Sequence, residues 1–323
     1  MPRICCILLG VLLLSSSSFG QGCSDAGFCT MGSMRPDQAY SKKVDLKLRA
    51  MELNLYQGQS IHTPVIYVAT IDATIGINEI NYLQVKLPYQ YAEGELGSAR
   101  GMGDISLSFT HVLRTTNRYT LSGTLGGKIP MGDGAEEVNN SFTGGVDQPI
   151  HMYYQPSLGT YDIVGGLSWI NERWLFATGI QIPLNRTENE FLWSKFPNYP
   201  NREYIEQYDP APRLKRGIDV MLRAERNWRF TNYNFSLGLL PIWRITPDNG
   251  FISESGVPRE EWQTGDLPGT TGLALSALVS FGYHFDVNNS IKIIHGHKLA
   301  QRDVNPDGLT RKWVNSISYI YKF

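Results

Sequence analysis

The chain lacks the long apolar segment that a membrane-spanning helix requires. After residue 20 it contains no apolar run of about 18 residues. A helical period of about 3.6 residues is almost absent after residue 43. A helical membrane protein is therefore excluded, and if the mature protein is integral to a membrane it must be a closed β-barrel.

Charge is also scarce. Charged residues make up 18% of the chain, whereas soluble proteins average about 25%. The net charge is −1, with no long run of one sign. This balance argues against nucleic acid or an acidic polymer as a partner.

The first residues carry the features of a secretory signal peptide. Arg3 precedes the apolar stretch 4–14, which is too short to cross a bilayer as a helix. Ser18-Phe19-Gly20 ends in a small residue, so we expect cleavage before Gln21 and assign 1–20 as the signal peptide. Cys23 leaves a lipoprotein open as an alternative, but Gly20 stands where a lipobox has Leu.

Cysteine is rare as well, with four in the chain, two of them inside the signal peptide. The remaining two, Cys23 and Cys29, lie in an exported protein and predict a disulfide that closes a small loop. Residues 21–43 show no clear period. We interpret them as an irregular N-terminal segment, either periplasmic or placed in the lumen of the barrel.

What the chain does contain is alternation, most clearly over residues 313–323. One set of alternate residues is almost wholly aromatic and aliphatic, and the other is mostly small or polar, as in a strand with one apolar face. The two sets are Trp313, Asn315, Ile317, Tyr319, Tyr321 and Phe323, and Val314, Ser316, Ser318, Ile320 and Lys322. This pattern resembles the terminal assembly signal of bacterial outer-membrane barrels, which ends in Phe and implies the barrel assembly machinery as a partner.

Twelve alternating segments follow one another along the chain, an even number as expected for a bacterial barrel. They are 44–57, 63–77, 79–92, 103–115, 118–130, 157–170, 173–186, 214–227, 231–246, 271–286, 289–298 and 311–323. Short connections alternate with longer ones, which is the layout of an outer-membrane barrel with both termini on the periplasmic side. The sequence therefore predicts an all-β, transmembrane antiparallel barrel over residues 44–323, in contact with outer-membrane lipid.

Alternation also assigns charged residues to the inner face, where a dry core could not hold them but a wet lumen could. The predicted inward set is Asp45, Lys47, Glu52, Asp72, Lys86, Asp104, Lys128, Asp162, Lys215, Asp219, Arg223, Glu225, Arg244 and Asp286. Tryptophans near strand ends are interpreted as girdle positions at the membrane interface, namely Trp169, Trp174, Trp243 and Trp313. The candidate lumen determinants of selectivity are Asp104, Lys128, Asp162, Arg223 and Arg244.

Four short, glycine-based stretches carry a family resemblance. They are Leu87-Pro-Tyr-Gln-Tyr91, Gly101-Met-Gly-Asp-Ile-Ser-Leu-Ser108, Gly127-Lys-Ile-Pro-Met-Gly-Asp133 and Leu158-Gly-Thr-Tyr-Asp-Ile-Val-Gly165. Their order resembles the outer-membrane family of the phenol meta-cleavage pathway, which is distantly similar to long-chain fatty-acid transporters. The resemblance implies passive uptake of small, often hydrophobic molecules without a cofactor, and it leaves open whether aromatic molecules are among them.

The loop 187–213 is rich in aromatic residues and proline. Such a loop could fold over the mouth of the barrel as a gate or hold an apolar ligand, and the candidate gate residues are Phe191, Trp193, Phe196 and Tyr199. The alternative is an ordered loop that packs on itself.

Enzymatic interpretations find little support in the sequence. Six histidines and many serines form no recognisable Ser-His-acid motif, although outer-membrane phospholipases are the enzyme alternative that shares the strand number. His295-Gly-His297 places two imidazoles on one strand face, but no third metal ligand is evident. The predicted function is a channel or transporter for small molecules, and the competing class is a non-conducting structural or surface-interaction barrel.

Overall fold

The computed structural model describes residues 47–59, 64–132, 134–208, 210–252, 261–308 and 312–323. One large antiparallel sheet forms the wall of the molecule. Its strands are β1 (Lys47–Gln59), β2 (Val65–Gly76), β3 (Asn81–Gly94), β4 (Gly97–Met102), β5 (Ile105–Thr115), β6 (Tyr119–Ile129), β9 (Asp162–Asn171), β10 (Trp174–Pro183), β11 (Asp219–Arg229), β12 (Tyr233–Arg244), β15 (Gly272–His284), β16 (Asn289–Ala300) and β17 (Trp313–Lys322). Four short strands lie in the loops: β7 (Glu137–Val138), β8 (Gln148–Pro149), β13 (Asn249–Phe251) and β14 (Thr264–Asp266).

The sheet closes on itself as a barrel. The last strand, β17, pairs antiparallel with β1, with Tyr319 opposite Leu53. The strands β4 and β5 both pair with β3, β4 with its end and β5 with its start, so they occupy one position in the wall. The thirteen-stranded sheet therefore makes a twelve-position closed barrel. Pairing of β17 with β1 closes the circuit of wall strands, which confirms the predicted fold.

Side chains alternate between the two faces as the sequence predicts. On β15, Val279, Phe281 and Tyr283 are exposed on the outside, while Ser276 and Ser280 are buried on the inside. The same holds for β17, where Tyr319 is 44% exposed and Ser318 only 1%. The apolar outer face fits contact with hydrocarbon, and the polar inner face fits an aqueous or hydrogen-bonded interior.

Short turns join the strands at one end of the barrel, here called the short-turn end. In four of these five turns a polar side chain accepts hydrogen bonds from its own turn. The β11–β12 turn is closed by the backbone bond from the Phe230 N–H to the Tyr233 carbonyl. Asn171 Oδ1 accepts from the backbone of Arg173 (2.8 Å) and Trp174 (2.7 Å). Asp286 Oδ1 does the same for the backbone of Asn288 and Asn289 (both 2.7 Å). The predicted inward position of Asp286 is therefore wrong, since it is an exposed turn residue beyond the end of β15.

An outward aromatic belt surrounds the short-turn end. Trp174 stacks on Phe176, and Phe230 stacks on Tyr233. The guanidinium of Arg226 lies 5.1 Å from the ring of Trp174. Aromatic rings with cationic neighbours are typical of the boundary between hydrocarbon and headgroups.

The opposite end, here called the long-loop end, carries the connections that follow β1, β3, β6, β10, β12 and β16. Of these the structure describes 64, 95–96, 130–132, 134–161, 184–208, 210–218, 245–252, 261–271, 301–308 and 312. Two predicted strands begin too early there. The strand predicted from 157 begins at Asp162, because Ser157 lies in the loop, where its Oγ donates to Asp104 Oδ1 (2.5 Å). The strand predicted from 214 begins at Asp219, because Gly217 lies against the Thr246 carbonyl and its N–H donates to Asp248 Oδ1 (2.7 Å).

In the part of the chain that the structure describes, no helix has both the length and the apolar character needed to cross a bilayer. The signal peptide 1–20, the segment 21–43 with Cys23 and Cys29, and Asp45 lie outside the described residues. Their assignments stay predictions.

Candidate functional site

The long loops meet in one buried cluster, which we call the mouth plug. Its buried residues come from the ends of β2 and β3, from β4, and from four loops. They are Ile66, Ala92, Leu96, Ala99, Ile150, Met152, Tyr153, Tyr154, Phe191, Phe196, Tyr199, Ile205, Tyr208, Ala211, Leu214 and Leu267. A core of this composition is unusual for surface loops and shows that the loops fold together rather than separately.

The segment Ile150–Gln155 crosses the mouth of the barrel. On the side of the barrel next to β3 and β4, Tyr154 Oη accepts a hydrogen bond from the Leu96 N–H at 3.1 Å. On the far side, His151 Nε2 lies 3.2 Å from the Pro306 carbonyl oxygen. The β6–β9 and β16–β17 hairpins are half a circuit apart in the strand order, so this contact spans the opening. The segment is thus a strap across the long-loop end.

His151 lies at the centre of the mouth plug. Its ring centroid is 4.1 Å from that of Tyr153, 4.4 Å from Tyr208 and 5.0 Å from Phe191. Nδ1 accepts the Tyr153 N–H at 3.3 Å, which leaves the proton on Nε2 to donate to the Pro306 carbonyl. Complete burial lowers the pKa of His151 to about 3, although the Pro306 carbonyl and Asp307 oppose the shift. The imidazole is therefore neutral at physiological pH.

The four predicted gate residues all reach the mouth plug. Phe191, Phe196 and Tyr199 are buried in it, and Trp193 is half-buried against it. Phe191 and Phe196 pack with ring centroids 5.3 Å apart, and Tyr199 Oη donates to Glu95 Oε2 at 2.6 Å. The 184–218 loop packs on other loops as well as on itself. Its role as a gate stays a prediction.

Beneath the mouth plug, three of the five predicted lumen residues form one ion-pair chain. Lys128 Nζ lies 2.7 Å from Asp104 and 3.7 Å from Asp162. Asp162 also pairs with Arg216 at 2.9 Å and accepts from Gln181 Nε2. Lys128 and Asp162 face each other in the register of β6 and β9, which explains why alternation could place them together.

Arg244 belongs to a second network a short way round the wall. Its guanidinium contacts Asp219 (2.8 Å), Asp248 (2.8 Å) and Asp307 (3.3 Å). Arg302 lies 3.5 Å from Asp307 and 3.7 Å from Asp248. Burial, reinforced by Asp307 and opposed by Arg244, raises the pKa of Asp248. The fifth predicted residue, Arg223, is not in either network and pairs with Glu225 on its own strand.

The two networks together make a polar ring under the mouth plug. Five carboxylates (Asp104, Asp162, Asp219, Asp248 and Asp307) face four cations (Lys128, Arg216, Arg244 and Arg302), which gives a formal charge of −1. All are at least nine-tenths buried except Lys128, whose side chain is 11% exposed. Buried charges paired in this way resist disruption because removing one partner leaves the other uncompensated.

Sequence reasoning missed the loop members of this ring, namely Arg216, Asp248, Arg302 and Asp307. It placed Lys215 inward instead, and that prediction is wrong, because Lys215 is exposed and Arg216 is buried. The chain turns at Gly217, so the alternation of β11 does not extend back to residue 215. Gly217 is the feature of the sequence that could have indicated where the alternation of β11 ends.

Nearer the short-turn end the interior is polar but less paired. Ser168 Oγ, Asn234 Oδ1 and both polar side-chain atoms of Asn227 are buried and have no hydrogen-bond partner among the described residues. Buried polar atoms are almost always hydrogen-bonded. This part of the lumen therefore suits water or a polar solute.

Two His–Asn pairs lie on the outer face, and they bear on the hydrolase alternative. His111 Nδ1 lies 2.7 Å from Asn81 Oδ1, and His295 Nδ1 lies 2.7 Å from Asn315 Oδ1. A nucleophilic Ser would have to share their face, but their neighbours on that face, two residues along the strand, are Phe109, Leu113, Ile293 and His297. Within the described ranges, no cluster of three metal-ligating side chains occurs. Neither pair forms a Ser-His dyad.

The fold defines the class of protein, a closed antiparallel barrel of the outer-membrane type. An outer membrane channel from Pseudomonas putida F1 superposes with a TM-score of 0.57 at 11% identity, covering 90% of this chain and all of that one. The NanC porin matches with a TM-score of 0.46 at 9% identity, over 84% of this chain and 100% of that chain. The CymD monoaromatic hydrocarbon channel matches with a TM-score of 0.40 at 11% identity, over 94% and 98% of the two chains.

At these identities the similarity shows the fold alone, and the two lower scores carry no argument. Neither a protein-family model nor a curated protein matches the chain. The link to the phenol meta-cleavage family and to fatty-acid transporters stays a prediction.

Proposed function

We propose that the protein is an outer-membrane channel through which small molecules, hydrophobic and aromatic ones in particular, pass by diffusion. The long-loop end faces the exterior, and both termini lie in the periplasm. The observation that carries the proposal is the mouth plug, an aromatic cluster set in the opening of a barrel whose inner face is polar.

The chemistry of the mouth plug favours a hydrophobic or aromatic solute. Its centre is built from ring contacts between His151, Tyr153, Tyr208 and Phe191. An aromatic solute can replace such contacts with contacts of the same kind, because ring pairs depend on area and orientation rather than on one donor and one acceptor. A sugar would have to leave its hydroxyl groups unpaired there.

The polar ring sets the second condition for passage. A solute that passes the mouth plug meets paired charges whose hydrogen-bonding capacity is already largely occupied. A neutral solute does not compete with those pairs, whereas an ion must displace them. This favours neutral, weakly polar molecules.

The experiment compares fluxes into proteoliposomes. Vesicles containing the full-length mature protein should admit a neutral single-ring aromatic faster than a sugar of similar size, relative to protein-free vesicles. Tyr208→Ala, which removes one ring from the mouth plug, should raise the flux of both and reduce the preference. Equal permeation of both solutes through the wild-type protein would overturn the substrate class, and no flux through either protein would overturn the channel.

The second candidate is a non-conducting barrel that works through its loops. The observation that favours it is the burial of the inward side chains, such as Ser168 and Ser318, each only 1% exposed. In that case neither the wild-type protein nor the Tyr208→Ala variant would conduct, while loop variants would change binding to an external partner.

A further inference from the structure

The barrel wall has a break between β10 and β11 at the long-loop end. The two strands pair up to Gln181 opposite Asp219. Beyond a gap they meet again where the Thr187 N–H donates to the Leu214 carbonyl at 2.9 Å. Among the described residues no backbone hydrogen bond joins 182–186 to 215–218. This break lies at the end of the β10–β11 pairing, next to the long loops.

An open cavity of about 480 Å³ occupies the break. Its lining combines cationic residues with a few apolar ones: Ile182, Pro183, Arg186, Lys215, Arg216, Ile218, Thr246, Pro247, Asn249 and Asp266. Arg216 is already paired with Asp162, which leaves Arg186 and Lys215 facing the single lining carboxylate, Asp266, and Asp266 accepts a hydrogen bond from Asn249 Nδ2 at 3.1 Å. The cavity therefore has a positive balance.

Two of the cations can still form a hydrogen bond or an ion pair with a ligand. Arg216 is 4% exposed and pairs with Asp162 through its NH2 group, but its Nε has no hydrogen-bond partner among the described residues. Lys215 is exposed and makes no ion pair within the described part of the chain. Arg186 is held in place by the carbonyls of Arg213 and Asn249, both at 3.1 Å. An anion in the cavity thus meets Arg186, which two carbonyls hold, the buried Arg216 and the exposed Lys215.

Part of the cavity lining belongs to the outer face of the wall. Ile182 follows the inward residue Gln181, and Ile218 precedes the inward residue Asp219. Both therefore belong to the outer face. Toward the middle of the barrel the same face continues with exposed Ile163, Ile180 and Leu222. An apolar strip therefore leads directly to a cationic cavity at the rim.

We propose that this cavity binds the phosphate group of a phosphorylated glycolipid of the outer leaflet, whose acyl chains lie along the apolar strip. Phosphate suits the site because it offers several acceptor oxygens to Arg and Lys donors. A lipid suits it because the cavity borders the apolar outer face of the wall at Ile182 and Ile218. The inference rests on the barrel lying in a membrane and is independent of whether it conducts.

The test is native mass spectrometry of the full-length mature protein in detergent, titrated with bisphosphorylated lipid A. Lys215→Ala should weaken binding about 5-fold and Lys215→Glu about 30-fold, since each surface cation contributes roughly 1 kcal/mol to binding an anionic lipid. Arg173→Ala, a matched loss of an exposed cation in the β9–β10 turn at the short-turn end, should leave binding unchanged. Migration of the unheated protein on gels checks that each variant is folded.

Two further arms identify the ligand. Lipid A without its phosphates should bind as weakly to the wild-type protein as the bisphosphorylated lipid binds to Lys215→Glu. Inorganic phosphate at the same concentration should not compete, because it lacks the acyl chains. Unchanged binding in the Lys215 variants, equal binding of the phosphate-free lipid, or full competition by inorganic phosphate would each overturn the proposal.

Discussion

The two ends of the barrel are stabilised in different ways. At the short-turn end four of the five turns are fixed by a side chain of their own, such as Asn78, whose Oδ1 accepts from the Ile80 and Asn81 N–H groups. At the long-loop end the contacts join residues far apart in the chain, such as His151 with Pro306 and Arg244 with Asp307. A defect at the first end should remain local, whereas a defect at the second should loosen several loops together.

The largest effect is expected from breaking the polar ring. Arg216→Met leaves the buried Asp162 with only the more distant Lys128, at 3.7 Å, as a cation. Losing one partner of a buried pair costs about 3–5 kcal/mol. Thermal unfolding in detergent should shift strongly downward. The neighbouring Lys215→Met removes an exposed, unbridged cation and should shift it little, so equal shifts would contradict the assigned positions.

The next largest effect is expected from a substitution in β17 where this strand pairs with β1 and closes the barrel. Tyr321→Asp places a charge on the lipid face beside Met51 of β1. A charge on this face costs roughly 2–4 kcal/mol at the membrane midplane and less near the interface, with acidic residues at the low end. We expect assembly to fail, seen as loss of protein from the outer-membrane fraction. Ser318→Asp should be far milder, because it faces inward with Lys292 opposite it in the register. Equal losses in the two variants would mean that the faces are reversed.

Acidification should loosen the long-loop end through His151. Its pKa is about 3 in the folded protein and about 6.5 when exposed. The folded loops therefore lose stability as the pH falls below about 6.5, by roughly 2 kcal/mol at pH 5. Hydrogen exchange of the segment 150–155, corrected for intrinsic rates, should rise at pH 5. His151→Gln should abolish that pH dependence, and if the dependence remains, another group is responsible.

The smallest effect is expected at a single short turn. Asn171→Ala removes two hydrogen bonds within its turn and should lower barrel stability by about 1 kcal/mol. Exchange in the mouth plug should not change. Asn117→Ala, in the adjacent short turn, provides a control, since none of the hydrogen bonds seen among the described residues involves its side chain. A response of the mouth plug to Asn171→Ala would remove the distinction between the two ends.

The same distinction explains what the sequence could predict. Alternation depends on neighbours two residues apart, so the wall, the closure of β17 on β1 and the inward positions of Asp104, Lys128 and Asp162 followed from it. The strand starts at Asp162 and Asp219 were missed because loop contacts, not alternation, end the strands there.

The long-range contacts of the loops were beyond sequence reasoning. Composition indicated that Phe191, Phe196 and Tyr199 could cover the mouth, but it could not indicate that His151 and Tyr153 lie at the centre. The pairing of Arg302 with Asp248 and Asp307 likewise joins two loops whose relative positions only the closed barrel determines.

Gly308 offers the most direct test of the closed mouth. It has φ +63°, and a Cβ there would lie 2.1 Å from Tyr153 Cδ1 and 3.0 Å from His151 Cε1. Gly308→Ala should therefore displace the strap. Gly144 has nearly the same backbone, φ +69°, with no atom within 4 Å of an added Cβ. Gly144→Ala thus carries the same backbone cost without the clash.

Single-channel recordings in planar bilayers compare the three proteins. The wild-type protein and Gly144→Ala should show small or infrequent conductance steps, and Gly308→Ala should show larger, longer openings. Large steady conductance in the wild-type protein, unchanged in Gly308→Ala, would contradict a mouth closed by the plug.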